Sequence, residues 1–348
     1  MEGNRTSRRD VLRTGAALSG LAVTASLSGC SQLNSLLGGG TGTGQVKKLP
    51  EDTAMAVSID VDAILEDDGT KDIVNASIEA QAAQAEQSYY GEYNGPEDFD
   101  EALSQFEDEY DLDPTEVDLG TMFFDYNDYG SADSEYAGFV FKSGWSEDDI
   151  VDAIEEDGSE LDEDEYNGKT IYEGESDYNP TFMGVLGDNE YVVGSEDAVE
   201  DTIDVRTDGG DKMDEELRNG FTSTKGSAPL RFVSEIPEES FDDEYGYGEN
   251  SVDLEGFDEA VWVAGSVYTD GDTRGVDVTI KADEEGAAED MGDTIEAIIT
   301  LGSDQMPDGD LADEIDEIEV EQNGKKVTIN YETTVDDITG MIEDAYEN

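Results

Sequence analysis

Hydrophobic residues recur along this chain with two periods, and the elements they mark alternate from about residue 49 to the carboxy terminus. Leu49-Pro50-Glu51-Asp52-Thr53 leads into Ala54 to Val61, where Ala54, Ala56, Ile59 and Val61 predict a short buried strand. An alanine-rich stretch from about Lys71 to Tyr90 predicts a long helix. Pro96 to Tyr110 predicts a second, with Phe99, Ala102, Leu103, Phe106 and Tyr110 at helical spacing and Pro96 suited to the first turn. Strands follow at Thr121 to Tyr126 and Tyr136 to Lys142. Ser146 with Asp149 three residues on, ahead of Ile150 and Ile154, is a helix-capping signal. Lys169 to Glu173 reads as a strand, Phe182 to Leu186 and Tyr191 to Gly194 as a hairpin across Gly187-Asp188-Asn189, and Ser195 as the start of a short helix.

The second half repeats this grammar. Ala260 to Tyr268 and Arg274 to Lys281 form a hairpin across Asp270-Gly271-Asp272, with Val276, Val278 and Ile280 on one side and Asp277, Thr279 and Lys281 on the other. A helix at Glu284 to Leu301 precedes a pairing of Ile318 and Val320 with Val327, Ile329 and Tyr331 across Asn323-Gly324. Val335 to Tyr346 closes as a helix with Val335, Ile338, Ile342 and Ala345 inward. Asn167-Gly168-Lys169 and Asn323-Gly324-Lys325 occupy matching places, each after a helix and opening a strand, which points to a diverged duplication. Hairpins outnumber parallel crossovers. The pattern therefore predicts an α+β fold of two related units, each a mainly antiparallel sheet with helices on one face. The expected units are 49–207 and 220–348, with the seam in Asp208 to Asn219.

The first thirty residues follow a different rule. Arg8-Arg9 precedes a weakly apolar stretch, Gly15 to Leu27, that is too short to span a bilayer and reads as a signal sequence. It ends in Leu27-Ser28-Gly29-Cys30, a lipobox in which small residues admit a signal peptidase and the thiol takes a lipid. This leader resembles that of twin-arginine-exported lipoproteins of halophilic archaea. The resemblance implies cleavage after residue 29, acylation of Cys30, and residence on the outer face of the cytoplasmic membrane. Residues 30–48 would then form a flexible tether, centred on Gly38-Gly39-Gly40 and reaching on the order of 20 Å. Cys30 is the only cysteine, so no internal disulfide is possible.

Charge changes the picture further. The 348 residues carry 91 Asp and Glu against 18 Lys and Arg, a formal charge of −73. Such a chain repels itself in dilute buffer, and folding is expected to need concentrated salt, with cations acting as screening ions. The 27 Tyr and Phe, with Trp145 and Trp262, supply a core that a disordered acidic chain lacks. Outside the leader there is no Lys/Arg cluster to grip phosphates, so nucleic acid is excluded as a partner.

With no histidine and its cysteine in the leader, the chain lacks the residues for serine or cysteine triads and for His-ligated metals. No phosphate loop or dinucleotide fingerprint appears. Asp125-Tyr126-Asn127-Asp128-Tyr129-Gly130 with Asp133 and Glu135 has the glycine of a calcium loop, but Tyr136 stands where the bidentate glutamate belongs. Asp304, Asp308, Asp310 and Asp313 lack ligand spacing. Tyr89 to Gly95 and Asp243 to Gly248 are Tyr-Gly-acid loops of the kind found on binding surfaces. No catalytic, cofactor or metal residue is assigned.

The order of elements, the opening Leu49-Pro50-Glu51-Asp52-Thr53 and Gly187 to Gly194 are similar, over most of Leu49 to Val205, to a widespread exported family of unknown function, which implies a fold and no activity. The sequence reads as a non-catalytic surface lipoprotein that binds another envelope component, with an envelope protein as the candidate partner. A transporter's solute-binding lipoprotein and a carboxylate-dependent extracellular hydrolase are the alternatives.

Overall fold

A computed structural model describes residues 42–87, 95–126, 136–156, 160–174, 181–207, 209–237, 256–305, 314–315 and 317–347. Its strands are β1 (Met55–Asp60), β2 (Val117–Phe124), β3 (Ala137–Ser143), β4 (Leu161–Tyr166), β5 (Lys169–Gly174), β6 (Phe182–Gly187), β7 (Glu190–Gly194), β8 (Leu230–Glu235), β9 (Ala260–Asp270), β10 (Thr273–Ala282), β11 (Glu319–Asn323) and β12 (Lys326–Thr334). The helices are α1 (Thr43–Val46), α2 (Val61–Leu65), α3 (Asp68–Gln87), α4 (Phe99–Tyr110), α5 (Glu147–Glu156), α6 (Glu196–Arg206), α7 (Glu215–Ser223), α8 (Glu285–Gln305) and α9 (Val335–Glu347).

All twelve strands join one antiparallel sheet in the order β11-β12-β10-β9-β8-β1-β2-β3-β7-β6-β5-β4. The α+β class with antiparallel pairing is as expected. The two halves also share a plan. From the β1–β8 pair outward, one side runs β2, β3, then β7-β6-β5-β4, and the other runs β9, β10, then β12-β11. The hairpin β6–β7 is the extra piece of the first half. In each half a helix, α5 or α8, separates the third strand from the hairpin carrying the Asn-Gly pair.

That pair is used differently in the two places. Asn167 and Gly168 are themselves the two turn residues, with φ 47° and 76°, as a type I′ hairpin requires. At the second site Asn323 already pairs with Lys326, so Gly324 and Lys325 make the turn, shifted by one residue.

Helices lie on both faces of the sheet rather than on one, because several strands are apolar on both sides. Along β3, Val140 and Phe141 point oppositely and both are buried. The Val140 face holds the largest core cluster, in which Ala56, Phe123, Val192 and Val233 of the sheet meet Ala198, Val199 and Ile203 of α6 and Leu217 and Phe221 of α7. This cluster draws on both halves, and α7 begins inside the segment expected as a seam.

The tether is shorter than 30–48. Thr43, Gln45, Val46 and Leu49 are buried, and Thr121 Oγ1 donates to Gln45 Oε1 at 2.6 Å. Two apolar side chains and a satisfied amide give this segment reason to dock. Gly42, at φ 72°, makes the approach possible, since a Cβ there would sit 1.7 Å from Ser58 Oγ.

Local signals explain the remaining boundaries. Ser146 and Asp149 form a reciprocal capping box, with the Ser146 amide donating to Asp149 Oδ2 at 2.8 Å and the Asp149 amide to Ser146 Oγ at 3.2 Å. Helix α4 starts three residues later than Pro96 suggests, because the Asp98 carboxylate caps the Glu101 amide at 2.8 Å and so fixes the first turn.

Candidate functional site

The face of the sheet opposite the largest cluster is built by the other set of alternating residues. Register places them in continuous rows. The central row runs from Ile329 through Val278, Gly265, Phe232 and Val57, then through Met122, Phe139, Val193 and Met183 to Tyr172, crossing ten strands. At about 4.8 Å per strand this is a span of roughly 43 Å. A row on one side holds Tyr331, Val276, Val267, Leu230, Ile59, Gly120, Phe141, Tyr191 and Val185. The row on the other side holds Val327, Ile280, Val263, Ser234, Met55, Phe124 and Ala137. None of these positions is charged, in a chain whose residues are 31% charged.

The two ends of this face are covered. On one, Ile150, Val151 and Ile154 of α5 pack with Phe141, Met183, Tyr191 and Trp145. On the other, Ala287, Ala288, Met291 and Ile295 of α8 pack with Ile280, Val327 and Val320. Between them Val57, Met122, Phe232, Val263, Val276, Val278 and Ile329 are half-buried and pack against none of the four buried clusters. A cluster of Val74, Ile78 and Phe99, with Leu65 and Leu103, ties α3 to α4 separately.

Two floor rings lie close over glycine: a Cβ on Gly265 would stand 2.7 Å from the Phe232 ring, and one on Gly120 the same distance from Phe139. Glycine at these positions lets the rings lie down along the sheet and keeps the floor low. The hydroxyls on this face are spent internally. Tyr172 donates to Glu147 at 2.7 Å, Tyr191 to the Trp145 carbonyl at 3.0 Å, Tyr331 to Glu314, and Ser234 pairs with Tyr126 at 2.5 Å.

The reverse face beneath β9, β10 and β12 is polar. Lys225 Nζ sits 2.9 Å from the centroid of the Tyr268 ring, and Tyr268 donates to Glu332 at 2.6 Å. Asp277 shares this face, Lys281 pairs with Glu216, and Lys326 lies 5.1 Å over Trp262. Burial lowers the Lys225 ammonium pKa against the pull of Glu332, Asp277 and Asp270, and burial raises Asp277, which Lys225 partly offsets. The ions of this cluster neutralise one another.

Elsewhere Glu51, Asp52, Asp201 and Asp211 surround an acidic recess beside Pro50 and Gly210, where Tyr136 donates to Asp201 at 3.1 Å. Among the described residues no group of three or more carboxylates is placed to hold a metal ion.

Several carboxylates titrate above their ordinary range: Asp201 through burial, which the Tyr136 hydrogen bond partly offsets, and then Asp52 and its neighbours on α6, Glu200 through burial and then its acidic neighbours on α6, Asp62 through burial and then Asp118, and Glu235 through burial and then Asp125. For a carboxylate whose folded pKa is raised, the fold binds more protons than the unfolded chain, so stability falls as pH rises through the raised value. Asp113 and Asp149 behave oppositely, held low by hydrogen bonds from Thr115 and Ser146, and their contribution is lost only at lower pH. Thermal melts at fixed salt should therefore show the midpoint rising as pH is lowered from 7 into the window just above the ordinary carboxylate range, then falling in stronger acid. A midpoint that falls steadily from pH 7 downward would contradict this.

Arg8, Arg9, Leu27, Ser28, Gly29 and Cys30 lie outside the described residues, as do 127–135 of the calcium-like loop, 88–94, Asp243 to Gly248, and Asp308, Asp310 and Asp313. Asp125, which opens that loop, is described, and its carboxylate accepts from the Tyr126 amide at 2.8 Å. No described helix is long and apolar enough to cross a membrane.

No family model matches the chain, and no curated protein matches it. Among solved structures it is similar to TP0453 in its crystal form III, at 9% identity and a TM-score of 0.44 over 86% of this chain and 97% of that one. Crystal form I gives 9% and 0.40, over 86% and 96%. Form IV gives 8% and 0.42, over 85% and 95%.

Proposed function

We propose that this chain is a non-catalytic envelope lipoprotein, held outside the cell by a lipid on Cys30, that binds another envelope component through the apolar face of its sheet. The observation that carries the reading is the three uncharged rows, half-open at the centre of a sheet whose chain bears 91 acidic residues. Apolar surface left accessible in so charged a chain is costly unless something covers it. Its placement on doubly paired central strands suits binding, and its hydroxyls, on Ser234, Tyr172, Tyr191 and Tyr331, are held by partners within the chain. A solute-binding role is less well supported, since such proteins are built on parallel strand–helix–strand units and every described pairing here is antiparallel.

The test is a photoreactive benzophenone side chain in place of Met122, in the full-length protein in its own membranes at high salt. An adduct with a membrane-associated component supports the reading. Irradiation that yields only unmodified protein, in a sample where mass spectrometry also finds an unacylated Cys30, would remove both parts of it.

A further inference from the structure

Resting on that reading, the geometry points to the hydrocarbon chain of a membrane lipid as the component that lies in the trough over Val57, Met122, Phe232 and Val278. Four features of the molecule lead there.

The first is the absence of polar valence. Protein interfaces carry about one hydrogen bond per 100–200 Å², whereas this floor presents Val, Ile, Met, Phe and Gly, and its hydroxyls are paired within the chain. A protein lying on it would bury backbone donors and acceptors against a surface with nothing to answer them. A methylene chain has none to bury.

The second is the backbone. β8, β9, β1 and β2 are each paired on both sides, so the centre of the sheet has no free edge at which a peptide could add as a strand.

The third is charge. With a formal net charge of −73, two copies pressed face to face would bring acidic side chains within the few ångströms that concentrated salt leaves unscreened, and an anionic ligand in contact with the chain would meet the same short-range repulsion. An uncharged chain is indifferent to it.

The fourth is shape. The apolar strip is long across the strands, flanked at one end by the α5 cluster, to which Val61 of α2 and Phe106 of α4 also belong, and at the other by the α8 cluster, bordered beyond Val276 by Arg274 with its partner Asp67, and low where the Phe232 and Phe139 rings lie over Gly265 and Gly120. An extended chain fits that form, each of its methylenes leaving water for apolar surface.

The experiment uses the full-length chain carrying Cys30→Ser, so that no lipid of its own is present, purified in multimolar KCl. Organic extraction followed by mass spectrometry reads any co-purified lipid, and titration with an uncharged pyrene-labelled dialkylglycerol reads binding. The expected result is saturable binding that weakens at least tenfold when Val57→Phe and Val278→Phe fill the trough with apolar bulk, and is unchanged by Lys225→Ala on the opposite face. Because the double variant could disturb folding, Phe232→Trp serves as a second probe. Its emission should be quenched by a dialkylglycerol with brominated chains in an otherwise unaltered protein. Absence of both binding and quenching overturns the lipid assignment. So does a benzophenone adduct at position 122 whose partner is a protein, a second copy or another segment of the same chain. An adduct with a different protein leaves the proposed envelope-binding role standing, whereas no adduct of any kind removes that role as well.

Discussion

Moving the folded protein from multimolar KCl into dilute buffer should unfold it, with collapse of its far-ultraviolet circular dichroism. Acidic side chains outnumber basic ones by 91 to 18, and the ion pairs among the described residues, Lys142–Asp118, Arg206–Glu190, Arg274–Asp67 and Lys281–Glu216, occupy only a small share of them. At about 1 M salt the screening length is near 3 Å, and at 0.01 M it is near 30 Å, as long as a small domain is wide. Repulsion that is local in one condition then acts across the whole sheet in the other. Against an ordinary folding stability of roughly 5–15 kcal/mol, summed repulsion over so many like charges is large enough to win. Restoring the salt should restore the spectrum. A spectrum that does not change on dialysis would show that the charge is tolerated without screening.

The second large effect is expected from Asp67→Ala. Asp67 and Arg274 are both buried, and Arg274 Nη2 donates to Asp67 Oδ2 at 3.1 Å. The same carboxylate oxygen accepts from the Thr70 amide at 2.7 Å and Thr70 Oγ1 at 2.6 Å, capping α3. Arg274 stands on β10, so the pair fastens a helix of the first half to a strand of the second. Removing the carboxylate takes the opposite charge from a buried guanidinium, whose other acceptors include the carbonyls of Gly271 and Thr273. Loss of one member of a buried pair costs about 3–5 kcal/mol. Asp118→Ala, which removes a partner from the half-exposed pair with Lys142, should cost at most about 1 kcal/mol. Urea titrations at constant high salt compare the two. Equal losses would mean that burial of the first pair adds nothing.

Much of the fold is legible from residue order, for reasons that also mark what is hidden. Alternation in Val276, Val278 and Ile280 fixes which side of β10 faces inward, and the pairing of Val320 with Ile329 follows from it. β8 escapes the same reasoning because Arg231 occupies one of its most buried positions. Its guanidinium is met by Thr224, Thr43 and the Phe221 carbonyl and lies over the Phe221 ring, a set of partners scattered from residue 43 to 224. β4 is hidden for the opposite reason. Leu-Asp-Glu-Asp-Glu-Tyr has poor strand propensity, yet it forms the outermost strand, where charge discourages another sheet from joining. β11, Glu-Val-Glu-Gln-Asn, plays that part at the other edge. α7 shows only Leu217 and Phe221 as apolar anchors, among residues that read as a linker.

The candidate site is the least legible feature. Hydrophobic alternation says that Val57, Phe232 and Val278 point to the same side as one another only once register is known, and register depends on pairings far apart in the chain. Whether a helix then covers that side is a property of the assembled layers. Arg8-Arg9 and Leu27 to Cys30 are the reverse case, motifs plain in the sequence whose expected role needs no fold to be read.

The β1–β8 pair at the middle of the sheet has a consequence for how such a molecule could have come about. A chain holding one half alone would end its sheet on that strand, with a row of unmet amides and carbonyls, and two copies would satisfy each other antiparallel about a twofold axis. Joining two genes end to end replaces an encounter that depends on concentration with one that happens inside a single polypeptide. Assembly is then independent of how many other copies are nearby.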